Sequence, residues 1–180
     1  MLYYIHGYLS SPDGTKAMLF QESLNAHPIQ YRTCEPKDLV VSECLCKIHE
    51  AIQDDADVML IGSSLGGFLA AKTALHQDFV KKIVLLNPAL IPPDVDVSQL
   101  TDMPKRILKD MQDKELFYKK IQADILIVLG TNDSVVPNTW GLTFAKVHEA
   151  CVHFLHDDHQ FSSNLMQLPG LISAFFTKKH

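Results

Sequence analysis

Short apolar runs alternate along this chain with longer stretches whose apolar positions recur every three or four residues. That alternation predicts strands joined by helices, the pattern of βαβ units and a parallel sheet. Tyr3–Ile5 reads as a first strand that stops at His6-Gly7. Residues 14–26 have helical spacing through Ala17, Met18, Leu19, Phe20 and Leu24, and a brief strand is expected at Ile29–Arg32 before a turn around Pro36. Val41, Leu45, Ile48 and Ile52 fall four, three and four apart, which puts them on one face of a helix. After Asp57, the four successive apolar residues Val58, Met59, Leu60 and Ile61 suit a strand covered on both faces.

Leu65–His76 is small and apolar, a helix packed tightly on that sheet. Ile83–Leu86 is the next strand, closed by Asn87-Pro88, and Ile125–Leu129 is another, ending at Gly130. Residues 138–149 read as a helix and Cys151–Leu155 as a last strand. A C-terminal helix is expected over residues 160–176, bent or split by Pro169. Right-handed crossovers then set helices on both faces. The expected architecture is a single α/β domain over residues 1–180, with a mostly parallel sheet of about six strands.

One segment breaks the rhythm. Residues 88–120 lie between two core strands and carry Pro88, Pro92, Pro93 and Pro104, followed by a charged helical run, Lys105–Lys120. The simplest reading is a small cap over the carboxyl edge of the sheet, where ligands bind in such folds. A surface insertion without a role in the site is the alternative.

Composition narrows the class. Hydrophobic residues make up 47% and charged residues 21% of 180 positions, as in an ordinary globular domain large enough to bury a core. The net charge is −5, and no basic stripe interleaved with aromatics is present, so nucleic acid is not an expected partner. Met1 runs straight into the first strand without a basic, apolar leader, and no apolar run is long enough to cross a membrane. Cys34, Cys44, Cys46 and Cys151 are scattered, so reduced thiols and a cytoplasmic setting are expected.

The sharpest chemical signal is Gly62-Ser63-Ser64-Leu65-Gly66-Gly67, directly after one strand and before an apolar helix. It fits G-x-S-x-G, in which the serine tips a strand-turn-helix elbow. The turn is so tight that side chains two residues to either side would collide, and Gly62 and Gly66 remove that collision. Ser64 is therefore the candidate nucleophile, with the Leu65 N–H free at a helix N-terminus. Ser63 is the competing hydroxyl and lacks the symmetric glycines.

A serine hydroxyl needs a base held by a third group. His159 falls in the loop beyond the last strand and is the chosen base; His156 is the fallback, and His153 reads as a surface residue. A metal site built from His153, His156, Asp157 and His159 is a minor reading, because no HExxH or similar ligand pattern accompanies it. Asp133 lies just past the Ile125–Leu129 strand and completes the chain order Ser…Asp…His. Asp157 and Asp158 rank below it because they have no strand end to project from. Tyr4-Ile5-His6-Gly7-Tyr8 offers a second oxyanion N–H, with that of Tyr8 as the candidate, Gly7 permitting close approach and His6 shaping the loop of the substrate site.

Taken together, His6-Gly7, Gly62–Gly67, Asp133 within Gly130–Pro137, and His159 before Phe161 resemble the α/β-hydrolase superfamily. More narrowly they resemble the small bacterial esterases of the YqiA type, whose opening is similar to His6-Gly7-Tyr8-Leu9-Ser10-Ser11-Pro12 here. The resemblance covers essentially the whole chain. It implies a reduced α/β-hydrolase fold, a triad of Ser64, Asp133 and His159, oxyanion N–H groups from Tyr8 and Leu65, and hydrolysis of small-molecule carboxylic esters without cofactor or metal. An acyl thioesterase, or a non-catalytic binding protein that keeps the fold, are the alternatives.

Overall fold

The computed structural model describes residues 1–178. Six strands form one sheet: β1 (Leu2–Ile5), β2 (His27–Pro28), β3 (Val58–Ser63), β4 (Val80–Leu86), β5 (Asp124–Gly130) and β6 (Cys151–Leu155). Their spatial order is β2-β1-β3-β4-β5-β6, and every neighbouring pair is parallel. The chain winds outward from β1 to β2, then crosses back to β3 and continues the other way. The crevice between the carboxyl ends of β1 and β3 is therefore the switch point at which such sheets bind ligands. Ile5 pairs with Gly62, so the segments leaving these two strands emerge side by side.

The described residues also form seven helices: α1 (Thr15–Leu24), α2 (Val41–Ile52), α3 (Leu65–His76), α4 (Lys105–Met111), α5 (Glu115–Tyr118), α6 (Asn138–His148) and α7 (Leu168–Thr177). Because strand side chains alternate, each strand feeds two cores. Leu60, Ile83, Leu85 and Ile127 meet α2, α3 and α6 on one face. Ile61, Val84, Leu86 and Val128 meet α1 and α7 on the other. The double coverage explains why these strands read as continuous apolar runs.

Several boundaries differ from the sequence expectation. The short edge strand is His27–Pro28, not Ile29–Arg32. Ile29 still donates its N–H to the Tyr4 carbonyl at 2.9 Å, but the chain then leaves the ladder. Ile29, Tyr31 and Arg32 are buried there as a wedge, so the alternation marks burial and not pairing. α1 stops at Leu24 because Asn25 takes a left-handed C-cap at φ 54°. Residues 160–164 are turns, and Pro169 sits in the first turn of α7, where its missing N–H has no helical partner to lose. Pro169 therefore starts the last helix and does not bend it. The run Lys105–Lys120 splits into α4 and α5, and between them the Gln112 amide donates to the carbonyls of Pro92 and Val95 at 3.0 and 2.6 Å. Among the described residues, no helix is long and apolar enough to cross a membrane.

Candidate active site

The floor of the site is set by the turn from β3 into α3. Ser64 has φ 55° and ψ −118°, a combination that side-chain-bearing residues rarely adopt. Its N–H donates to the Leu86 carbonyl at 2.9 Å, and its own carbonyl accepts from Ala89 at 3.1 Å, so β4 over-determines the strained turn. The flanking glycines act through space and not through φ. A methyl at Gly62 would lie 2.3 Å from the Gly66 carbonyl oxygen, and one at Gly66 would lie 2.0 Å from the Ile5 carbonyl oxygen. The helix start is thus pressed against the β1 exit.

Asp133 and His159 come from the carboxyl ends of β5 and β6. The Asp133 side chain is fully buried, and its Oδ1 accepts the N–H groups of Val135 and Val136 at 2.8 and 2.9 Å. Its Oδ2 lies 2.7 Å from His159 Nδ1. A carboxylate can only accept, so Nδ1 carries the proton and Nε2 is left as the basic nitrogen. His159 and Ser64 border one cavity of about 400 Å³, together with Gly7, Tyr8, Lys16 and Met103. Ser63 borders it too, from inside β3. Leu65 is buried, and as the first residue of α3 its N–H has no carbonyl one turn earlier in the helix.

His6 is buried at 1% exposure, behind the loop and outside the cavity lining. Its ring stacks on Tyr31 at 4.4 Å, and Nδ1 lies 2.9 Å from the Gly7 carbonyl. That contact makes Nδ1 the donor and leaves Nε2 a buried nitrogen without a hydrogen-bond partner among the described residues. Burial, with the Arg32 guanidinium adding to it against the Gly7 hydrogen bond, pulls the imidazole down to about 4. His6 is therefore a neutral ring that supports the loop, while Gly7 and Tyr8 face the cavity. Arg32 reinforces the same loop by donating Nη2 to the Ser10 carbonyl at 2.8 Å.

The other late histidines stand apart. His153 is exposed on β6, and exposed His156 is paired with the Thr131 hydroxyl at 3.1 Å. Neither borders the cavity. Among the described residues, no group of three or more His, Cys, Asp or Glu gathers as a metal site.

The family described as "Uncharacterised protein family (UPF0227)" matches residues 1–177. The chain belongs to that family. Among solved structures, this UPF0227 protein is similar to Est1E from Butyrivibrio proteoclasticus, with a TM-score of 0.81 at 20% identity over 97% of this chain and 86% of that one. It is similar to mouse alpha/beta hydrolase domain-containing protein 10, at TM-score 0.73 and 18% identity over 97% and 88% of the two chains. A monoacylglycerol lipase from Paleococcus ferrophilus gives TM-score 0.74 and 15% identity over 97% and 92%. The UPF0227 chain thus has the α/β-hydrolase fold, reduced to six parallel strands.

Two groups that hold the UPF0227 site were not legible beforehand. Asn87, buried at the end of β4, donates Nδ2 to the carbonyls of Asp158 and His159 at 3.2 and 3.1 Å. Its Oδ1 accepts the Gly130 N–H at 2.7 Å, so one amide ties the ends of β4, β5 and the His159 loop together. Asp157, ranked below Asp133 as the acid, is buried and closes the same loop by accepting the N–H groups of Ser163 and Asn164. The sequence marked Asn87 only as a strand end, through Asn87-Pro88.

Proposed function

We propose that this UPF0227 protein is a serine hydrolase that cleaves carboxylic esters through an acyl-enzyme. The observation that carries the reading is the shared cavity: Ser64 on its strained turn and His159, oriented by Asp133 at 2.7 Å, border the same space. Ser64 Oγ attacks the ester carbonyl while His159 Nε2 takes its proton. The resulting oxyanion is assigned to the N–H groups of Leu65, at the start of α3, and of Tyr8, which borders the cavity. His159 then returns the proton to the departing alcohol, and water, activated by the same imidazole, releases the acid and restores Ser64. Residues 88–120 act as a small cap, since Asp102 and Met103 border the cavity from that segment. The monoacylglycerol lipase named among the structural neighbours agrees with this chemistry.

A fluorophosphonate probe tests the mechanism. It is expected to label the wild-type protein and not Ser64→Ala, and an ester panel is expected to be hydrolysed only by the former. Asp133→Asn should fold yet lose roughly four orders of magnitude in kcat, because the imidazole loses its orienting carboxylate. Labelling that persists in Ser64→Ala, or a folded protein inert to probe and panel alike, would remove the hydrolase reading and leave a binding protein.

A further inference from the structure

Lys16 stands in the first turn of α1 and borders the cavity that Ser64 and His159 share. Its Nζ donates to Gln160 Oε1 at 2.9 Å, and Gln160 directly follows His159. Gln160 is a neutral acceptor, so it takes one of three ammonium protons and balances none of the charge. The two acids whose charges act on it, Asp158 and Asp157, are engaged by their own loop. Asp157 accepts from the backbone of Ser163 and Asn164, and Asp158 accepts from Gln160 N, Ser162 N and the Ser162 hydroxyl.

Lys72 shows the contrasting arrangement, since its ammonium is paired with both Asp113 and Glu115. Among the described residues Lys16 forms no such ion pair. Burial lowers its affinity for the proton, with Asp158 and Asp157 opposing that shift. A partly desolvated cation with two free donors on the wall of the cavity, offset only in part by Asp158 and Asp157, is able to take an anionic group that enters it. Asp102 also borders the cavity, but it comes from the cap and is exposed. Its charge is therefore more strongly screened by solvent and salt.

The geometry points to an ester substrate that carries a carboxylate or phosphate group, bound by the Lys16 ammonium while Ser64 attacks the carbonyl; this rests on the hydrolase reading above. Lys16 then determines specificity and takes no part in bond breaking.

Matched pairs of aryl esters test it in two arms. In the first the acyl group is butyryl or hemisuccinyl; in the second the leaving phenol is plain or bears a carboxylate or phosphate. Each pair is assayed with wild type, Lys16→Met, Lys16→Arg and, as background, Ser64→Ala. Wild type is expected to prefer the anionic member in at least one arm by about tenfold in kcat/KM, mostly through KM, as a charge-assisted hydrogen bond supplies. Lys16→Met should bring that ratio to one or below, Lys16→Arg should keep most of it, and added salt should shrink it. No preference in either arm, or one that survives Lys16→Met or is indifferent to salt, would overturn the assignment while Ser64-dependent hydrolysis of neutral esters kept the hydrolase reading. If Lys16→Met fails to fold, Lys16→Arg and the salt titration decide. Absence of Ser64-dependent hydrolysis throughout would remove both.

Discussion

Ser64 is held at φ 55° and ψ −118°, and a backbone in such a region stores about 1–3 kcal/mol that the surrounding bonds must offset. Removing the hydroxyl alone leaves that strain in place, whereas removing Cβ relieves it. Ser64→Gly should therefore be more stable than Ser64→Ala by about 1 kcal/mol in denaturant unfolding, with both inactive. Equal stabilities would mean that the turn is not strained. His6 gives a second residue-scale prediction. Its folded pKa is depressed from 6.5 to about 4, so between those values the unfolded chain binds a proton that the folded one refuses. Stability from this group is present above about pH 6.5, falls as the pH drops toward 4, and totals about 3 kcal/mol. His6→Asn, whose amide can still donate to the Gly7 carbonyl, should flatten that part of the stability profile by one proton. At this scale the triad candidates were legible because a local glycine pattern and two strand ends point to them. Asn87 was not, because its partners Asp158 and His159 lie 71 and 72 residues away and nothing local reports them.

Among the elements, every strand but β2 was legible as a short apolar run, and the helices between them as three-and-four spacing. The failures share a cause: the last residues of an element are decided by what it packs against. Ile29–Arg32 alternates like a strand, yet its apolar members fill a wedge beyond β2, where Tyr31 reaches the His6 carbonyl at 3.1 Å. The C-terminal helix starts late because Asp157 and Asp158 organise residues 160–164 as a cap of turns that carries His159. The 88–120 segment has its own fastening. Lys72 on α3 is shielded from solvent with Asp113, at 14% and 19% side-chain exposure, and it also reaches Glu115 at 2.9 Å. Breaking a partly buried pair leaves an acid uncompensated, so Lys72→Met should cost about 1–2 kcal/mol. It should also speed proteolysis within residues 112–119. Unchanged cleavage there would show that apolar packing alone holds α5.

For the molecule as a whole, the order β2-β1-β3-β4-β5-β6 matters more than any single boundary, because it fixes which loops meet. Ser64, Asp133 and His159 are far apart in the chain, but each follows a parallel strand and so arrives at the same rim. The Gly66 contact with β1 has a longer reach. A helix start that would put a methyl 2.0 Å from the Ile5 carbonyl is in backbone contact with the strand that delivers Gly7 and Tyr8. The spacing between the Ser64 turn and the Gly7-Tyr8 loop is therefore fixed by backbone contact, indifferent to which side chains line the walls. On the proposed hydrolase reading, Lys16, Met103 or Val135 can be exchanged to recut the chamber for a new guest without moving those two segments, and such a scaffold lends itself to redirected substrate choice.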